Sequence, residues 1–420
     1  MAMTPVFNDF HGIQPLTDAG RRLLALAQEL GPQLSAHAEE HDRAGTFAHE
    51  NIDVLKKAGY FAAPVPVELG GFGVESAHDL LLASLAMARA EPSTAIGVNM
   101  HFAGLHPTVR LWRRARAAGL AEADAIAAFL TSVVQDSLVI ATPISERNQD
   151  PVMPQVRAVR TDDGWSISGT KTFGTMSPGA SMLVSSVTLE TAEGLSGAHV
   201  LVPKDLPGVT LLDDWDALGM RASGSVSVSY EDVRIPDDFV LDVFEYGVLS
   251  SDYLEGYLIA GALYATAALG IAECANSTVI EALGGRLATP RGVKPIDRAM
   301  TSVLAGENAV DLFASRAALQ RAAGAIDGYW DTYAEKPPAF EATEGAFAEV
   351  QAAKAVIGRA AQRVVDRSLT LSGGAGYFNG HPLARHYRDV RAVGFMHPLA
   401  ENVAPEYLGA VSLGLHPRSF

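Results

Sequence analysis

The spacing of apolar positions divides the chain into three stretches. Between residues 17 and 133 apolar side chains recur every three or four positions. Leu23, Leu24, Ala27, Leu30 and Leu34 alternate with Arg21, Arg22, Gln28 and Glu29, the pattern of a helix with one buried stripe. Thr17-Asp18 supplies its N-cap. A second helix is predicted over about 50–58, and further helical stretches near 76–90, 94–118 and 121–133. One irregular break interrupts them: Pro64-Val65-Pro66-Val67-Glu68-Leu69-Gly70-Gly71-Phe72-Gly73. A Gly-rich loop inside an otherwise helical region points to a functional neighbourhood.

From Leu138 to Val233 the period changes to two. Short β-branched runs alternate with turn signals, and Asp162-Asp163-Gly164 between two of them reads as a hairpin. Strands at this spacing predict a compact antiparallel sandwich or barrel. Helical periodicity returns near residue 240, in Ala-rich stretches over about 250–284, 297–334, 342–371 and 399–413. Four such helices pack as an antiparallel bundle with close approach at Ala and Gly. The predicted fold is therefore α+β and multidomain: helices over 1–135, a β domain over 136–238 and a four-helix bundle over 239–420.

One run tests for a membrane. Tyr257 to Ala272 reads YLIAGALYATAALGIA, sixteen residues between Glu255 and Glu273, short of the roughly 20 a bilayer span needs. A helix buried on all sides of a bundle fits it better, so no span is expected. Composition narrows the partners. Against 32 basic residues stand 48 acidic ones, a net charge of −16, which repels a phosphate backbone and excludes an extended nucleic-acid footprint. The single cysteine, Cys274, forms no internal disulfide. With no secretory leader pattern, a cytoplasmic setting is the expectation.

Several sharp-looking motifs fail on context. His37-Ala38-Glu39-Glu40-His41 spells H-x-x-E-H, but a polar helix face accounts for it and no distant third ligand presents itself, so no metal is expected. Gly164 to Thr172 approaches a phosphate loop, yet an extra Thr separates Gly169 from Lys171 and strands surround it. Asn276-Ser277-Thr278 matches a glycan acceptor only in a secreted chain.

Four segments in fixed order carry a family resemblance. Val65 to Gly73, Gly169-Thr170-Lys171-Thr172-Phe173-Gly174-Thr175, Leu218 to Ser225 with Val233 to Pro236, and Leu371-Ser372-Gly373-Gly374-Ala375-Gly376-Tyr377 with Arg385, Arg388-Asp389 and Arg391 resemble segments of the acyl-CoA dehydrogenase superfamily. The resemblance implies FAD between the β domain and the bundle, or FMN in a monooxygenase, and a homotetramer or homodimer. It places Phe173 and Thr175 against the flavin and Ser145 where the family's Thr-Glu-Pro segment touches the isoalloxazine. It sets Gly373 and Gly374 against the dinucleotide of a neighbouring subunit, where a Cβ would obstruct, and gives Arg291 a diphosphate.

The departures decide the chemistry expected. Most dehydrogenases of the family carry a catalytic Glu eight or nine residues after the Arg-Asp pair, and here that place is held by His397. A minority carries the base on the bundle helix, where Glu255 falls. A Glu at the edge of a buried apolar helix meets the needs of α-proton abstraction. The leading expectation is thus α,β-dehydrogenation of an acyl-CoA by Glu255, with an electron acceptor as partner. The alternative is a reduced-flavin monooxygenase that uses His397 as an acid/base titrating near neutrality and is fed by a flavin reductase. The third is a flavin or acyl-CoA binder without catalysis.

Overall fold

The computed structural model describes residues 13–148 and 150–417. Its first part is helical: α1 (Asp18–Ser35), α2 (Ala38–Ala44), α3 (His49–Lys57), α4 (Ala77–Ala90), α5 (Pro92–Ala117) and α6 (Glu122–Gln135). The α1 start is capped as expected, with the Thr17 hydroxyl accepting from the Gly20 amide at 2.9 Å. The Gly-rich segment forms the connection between α3 and α4.

The middle part is one eight-stranded sheet: β1 (Ile140–Ala141), β2 (Arg157–Thr161), β3 (Gly164–Gly174), β4 (Met182–Thr191), β5 (Gly194–Pro203), β6 (Val209–Leu211), β7 (Val226–Ile235) and β8 (Val240–Glu245). The order is β6-β7-β3-β2-β4-β5-β8, with β1 beside β4. Two features correct the sequence expectation. The sheet is open, because its edge strands β6 and β8 do not pair with each other. It is also mixed, since β1 and β2 both run parallel to β4. The hairpin at Asp162-Asp163 is present, with Thr161 opposite Gly164.

The last part is α7 (Ser251–Gly256), α8 (Leu258–Gly285), α9 (Ala299–Thr332), α10 (Phe340–Ser372), α11 (Pro382–Asp389) and α12 (Ala404–Ser412). Helix α8 is long enough to cross a membrane, longer than the sixteen-residue apolar run alone suggests, but nearly all of its apolar window is buried inside the protein. It packs on α10, α4, α5 and α9. Its Gly270 lies where a Cβ would come within 2.6 Å of Ala88, so the close approach of α8 to α4 depends on that glycine. The two helical parts share one hydrophobic core, and the sheet has its own.

Candidate active site

A cleft of about 1760 Å³ opens where the sheet, α5 and the bundle meet. Ser145, Phe173, Thr175, Glu255 and His397 all line it. Arg291, Gly373 and Gly374 do not; they are exposed outside it.

On the sheet side the strand pattern is broken on purpose at the site. Trp165, Ile167 and Lys171 occupy one buried face of β3 at a two-residue period. Phe173 would share that face, but a register shift between Lys171 and Gly174 intervenes. Phe173 adopts a left-handed φ of 54°, and its side chain is 61% exposed. Such strain in a non-glycine residue is held in place by its surroundings and is characteristic of functional sites. The ring meets Trp215 edge-on at 6.1 Å. Beside them the hydroxyls of Thr175 and Ser225 lie 2.8 Å apart, and Ser225 and Ser223 2.6 Å apart. Flat rings next to a row of hydroxyls suit a tricyclic flavin with a polar rim.

On the bundle side His397 faces the cleft and meets the Tyr257 ring edge-on at 5.2 Å. Burial, together with the Lys354 and Lys171 ammoniums, pushes its imidazole down to about 3. The ring is therefore neutral at pH 7, which corrects the expectation of a group titrating near neutrality. Lys354, on α10, is buried and donates to the carbonyls of Met396 and, at 2.9 Å, Leu399, bracketing the His397-Pro398 turn.

Glu255 is not a bare carboxylate. Arg114 Nη1 and Nη2 donate to its two oxygens at 2.9 and 2.7 Å, and Arg114 Nε donates to the Tyr333 carbonyl at 3.0 Å. The bidentate guanidinium engages both carboxylate oxygens and fixes the orientation of the carboxylate. No sequence signal joins residues 141 positions apart.

Sequence reasoning missed a second imidazole. His199 on β5 lines the cleft, and its Nδ1 lies 2.9 and 3.1 Å from the Asp242 oxygens on β8. Burial raises the Asp242 carboxyl, but the charge and hydrogen bonds of His199 outweigh it and hold the group low. Alternation placed His199 in the sheet, but the sequence reading gave Asp242 to the bundle; β8 adds a strand there, and only strand pairing, His199 opposite Asp242, brings them together.

The other motifs resolve structurally. His41 Nε2 lies 2.6 Å from Glu50 and Nδ1 2.8 Å from Thr46, and no cluster of three or more metal-ligating side chains occurs among the described residues. The side chain of Asn276 is buried and accepts from Asn308 at 3.1 Å.

Comparison with known proteins agrees with the resemblance. Family models for the N-terminal, middle and C-terminal domains of acyl-CoA dehydrogenase match residues 24–115, 144–233 and 262–400. The amino sugar nitrososynthase DnmZ of Streptomyces peucetius is 34% identical over 402 residues, 96% of this chain and 95% of the relative. A dibenzothiophene monooxygenase of Rhodococcus erythropolis is 27% identical over 93% of this chain and 94% of its own. The crystal structure of KijD3 in complex with FMN and dTDP-3-amino-2,3,6-trideoxy-4-keto-3-methyl-D-glucose superposes with a TM-score of 0.88 at 33% identity, covering 96% of each chain. With a cleft between sheet and bundle and all three domain models in order, the chain belongs to the acyl-CoA dehydrogenase family and is a flavoenzyme of that fold.

Proposed function

We propose that the protein is a reduced-flavin-dependent monooxygenase that oxidises the amine of a nucleotide-linked amino sugar, with FMN as its flavin and a separate reductase as the source of electrons. The observation that carries this reading is the state of the two places where a dehydrogenase keeps its base. One holds His397, a neutral imidazole; the other holds Glu255, with both oxygens engaged by Arg114. Neither offers a free carboxylate for abstraction of an α-proton. The relatives named above support the substrate class, and so does the lining. Asp238, Asp242 and Asp252 face the cleft, which favours a cationic amine over an anionic one.

Reduced flavin, when bound, supplies the two electrons that split dioxygen, one oxygen atom going to the substrate and the other to water. The chain's residues position and protonate around it. Phe173, Trp215, Thr175 and Ser145 would hold the ring system. His397, as a neutral imidazole, would hold the reacting group by a hydrogen bond through its ring, one nitrogen donating and the other accepting. Removal of the ammonium proton falls to His199, whose Nδ1 is oriented by Asp242, leaving Nε2 as acceptor. The outer face of α9 exposes Met300, Val303, Val310 and Phe313, an apolar strip that a second copy would cover.

The test mixes the full chain with FMN, a flavin reductase, oxygen and a dTDP-amino sugar. N-oxidised sugar is expected, retained in Glu255→Gln and reduced at least about 100-fold in His397→Ala. Anaerobic bleaching of bound oxidised flavin by an acyl-CoA, lost in Glu255→Gln, would instead establish the dehydrogenase.

A further inference from the structure

Lys171 sits in the segment that only approximates a phosphate loop, and it is among the largest fully buried side chains of the protein. A core strand position would be filled more cheaply by Met or Leu, because a buried ion pair loses several kcal/mol of hydration per charge. Its partners explain its presence. The ammonium donates to Glu146 Oε1 at 2.5 Å, Ser186 Oγ at 3.0 Å and the Ile144 carbonyl at 3.2 Å. Glu146 in turn accepts from the backbone amides of Gln155 at 2.6 Å and Val156 at 3.0 Å.

These bonds join both feet of the excursion that connects β1 to β2. Ile144 and Glu146 form one foot and Gln155 and Val156 the other, and all are tied to one buried ammonium. Ser145 lies between the two residues Lys171 holds, and its carbonyl accepts from the Thr172 amide at 2.8 Å. Ile144, Ser145, Glu146, Arg147 and Thr172 all line the cleft. The Ser145 side of the excursion is therefore carried on a foot whose shift would break a buried pair.

We propose that Lys171 is a positioning residue for flavin binding, fixing the Ser145 segment against the cleft through Glu146. The role concerns the flavin alone and holds for either chemistry of the site. An apolar replacement of both partners removes the buried pair while filling its volume, and it leaves the Gln155 and Val156 amides without their acceptor. The bonds that place Ser145 vanish with it.

The experiment compares the full-chain protein with K171M/E146L and with E146Q, reading FMN affinity by fluorescence, melting temperature, and trypsin cleavage at the exposed Arg147. For K171M/E146L, a single cooperative melting transition at a lowered temperature, FMN binding weakened at least about tenfold and faster cleavage at Arg147 are expected. E146Q keeps one acceptor oxygen, for Lys171 and the Val156 amide, and turns a donor NH2 toward the Gln155 amide, so faster cleavage at Arg147 and an FMN affinity between those of the parent and the double variant are expected. Unchanged FMN affinity in K171M/E146L overturns the proposal. Should K171M/E146L fail to fold, the E146Q protein decides alone: accelerated cleavage at Arg147 with its FMN affinity intact would show that the loop's position does not govern binding.

Discussion

Each wall of the cleft is fastened from behind by one buried lysine, Lys171 on the sheet side and Lys354 on the bundle side, and the two do so differently. Lys171 has a carboxylate within 2.5 Å; burial lowers it to about 8 while Glu146 opposes the shift. Lys354 has only the Met396 and Leu399 carbonyls, with the Tyr264 ring at 5.9 Å, and burial lowers it to about 7. A paired cation makes a rigid, charge-balanced wall. An ammonium held by carbonyl dipoles leaves its charge to act on its neighbours, and after burial itself it is the first cause of the depressed His397 imidazole. Placement on one side and electrostatics on the other thus come from the same residue type, separated by the presence of a single carboxylate.

The contrast breaks or sharpens under substitution. K171M strands Glu146 as an uncompensated buried charge, and a loss of about 3–5 kcal/mol is expected in urea unfolding. K354M strands two carbonyls but also removes an unpaired buried cation, so a smaller loss of about 1–3 kcal/mol is expected. A larger cost for K354M than for K171M would show that the carboxylate does not distinguish the walls. The smallest effect is in pH dependence. Lys354 falls from its ordinary 10.5 to about 7 on folding, so between these values the unfolded chain holds a proton that the folded chain has released. Stability therefore rises with pH across that window, by up to about 1.4 kcal/mol per unit from this group. The gap in urea midpoint between parent and K354M should widen from pH 7 to pH 9; a gap that does not change would mean that Lys354 stays charged in the fold.

Much of this was legible in the chain itself. The helix, strand and helix order, the Thr17 cap and the Asp162-Asp163-Gly164 hairpin are local signals, readable because each depends on residues a few positions apart. Ser145, Phe173, Thr175, Glu255 and His397 all line one cleft, while Arg291, Gly373 and Gly374 lie outside it. The mixed, open sheet was not legible, because strand alternation carries no record of which neighbour a strand takes or in which direction. The role of Lys171 was hidden for the same reason: a lysine in a strand reads as exposed unless the carboxylate that buries it is known.

The sequence by itself determined the three-part order, the periodicities that build it, and the substitution of His397 for the expected glutamate. Tertiary structure decided what those residues can do. It set Arg114 on Glu255, Asp242 on His199 and two buried ammoniums behind the cleft. Ion pairing and desolvation depend on distances through space between residues far apart in the chain, and these are fixed only when the helices and the sheet pack together.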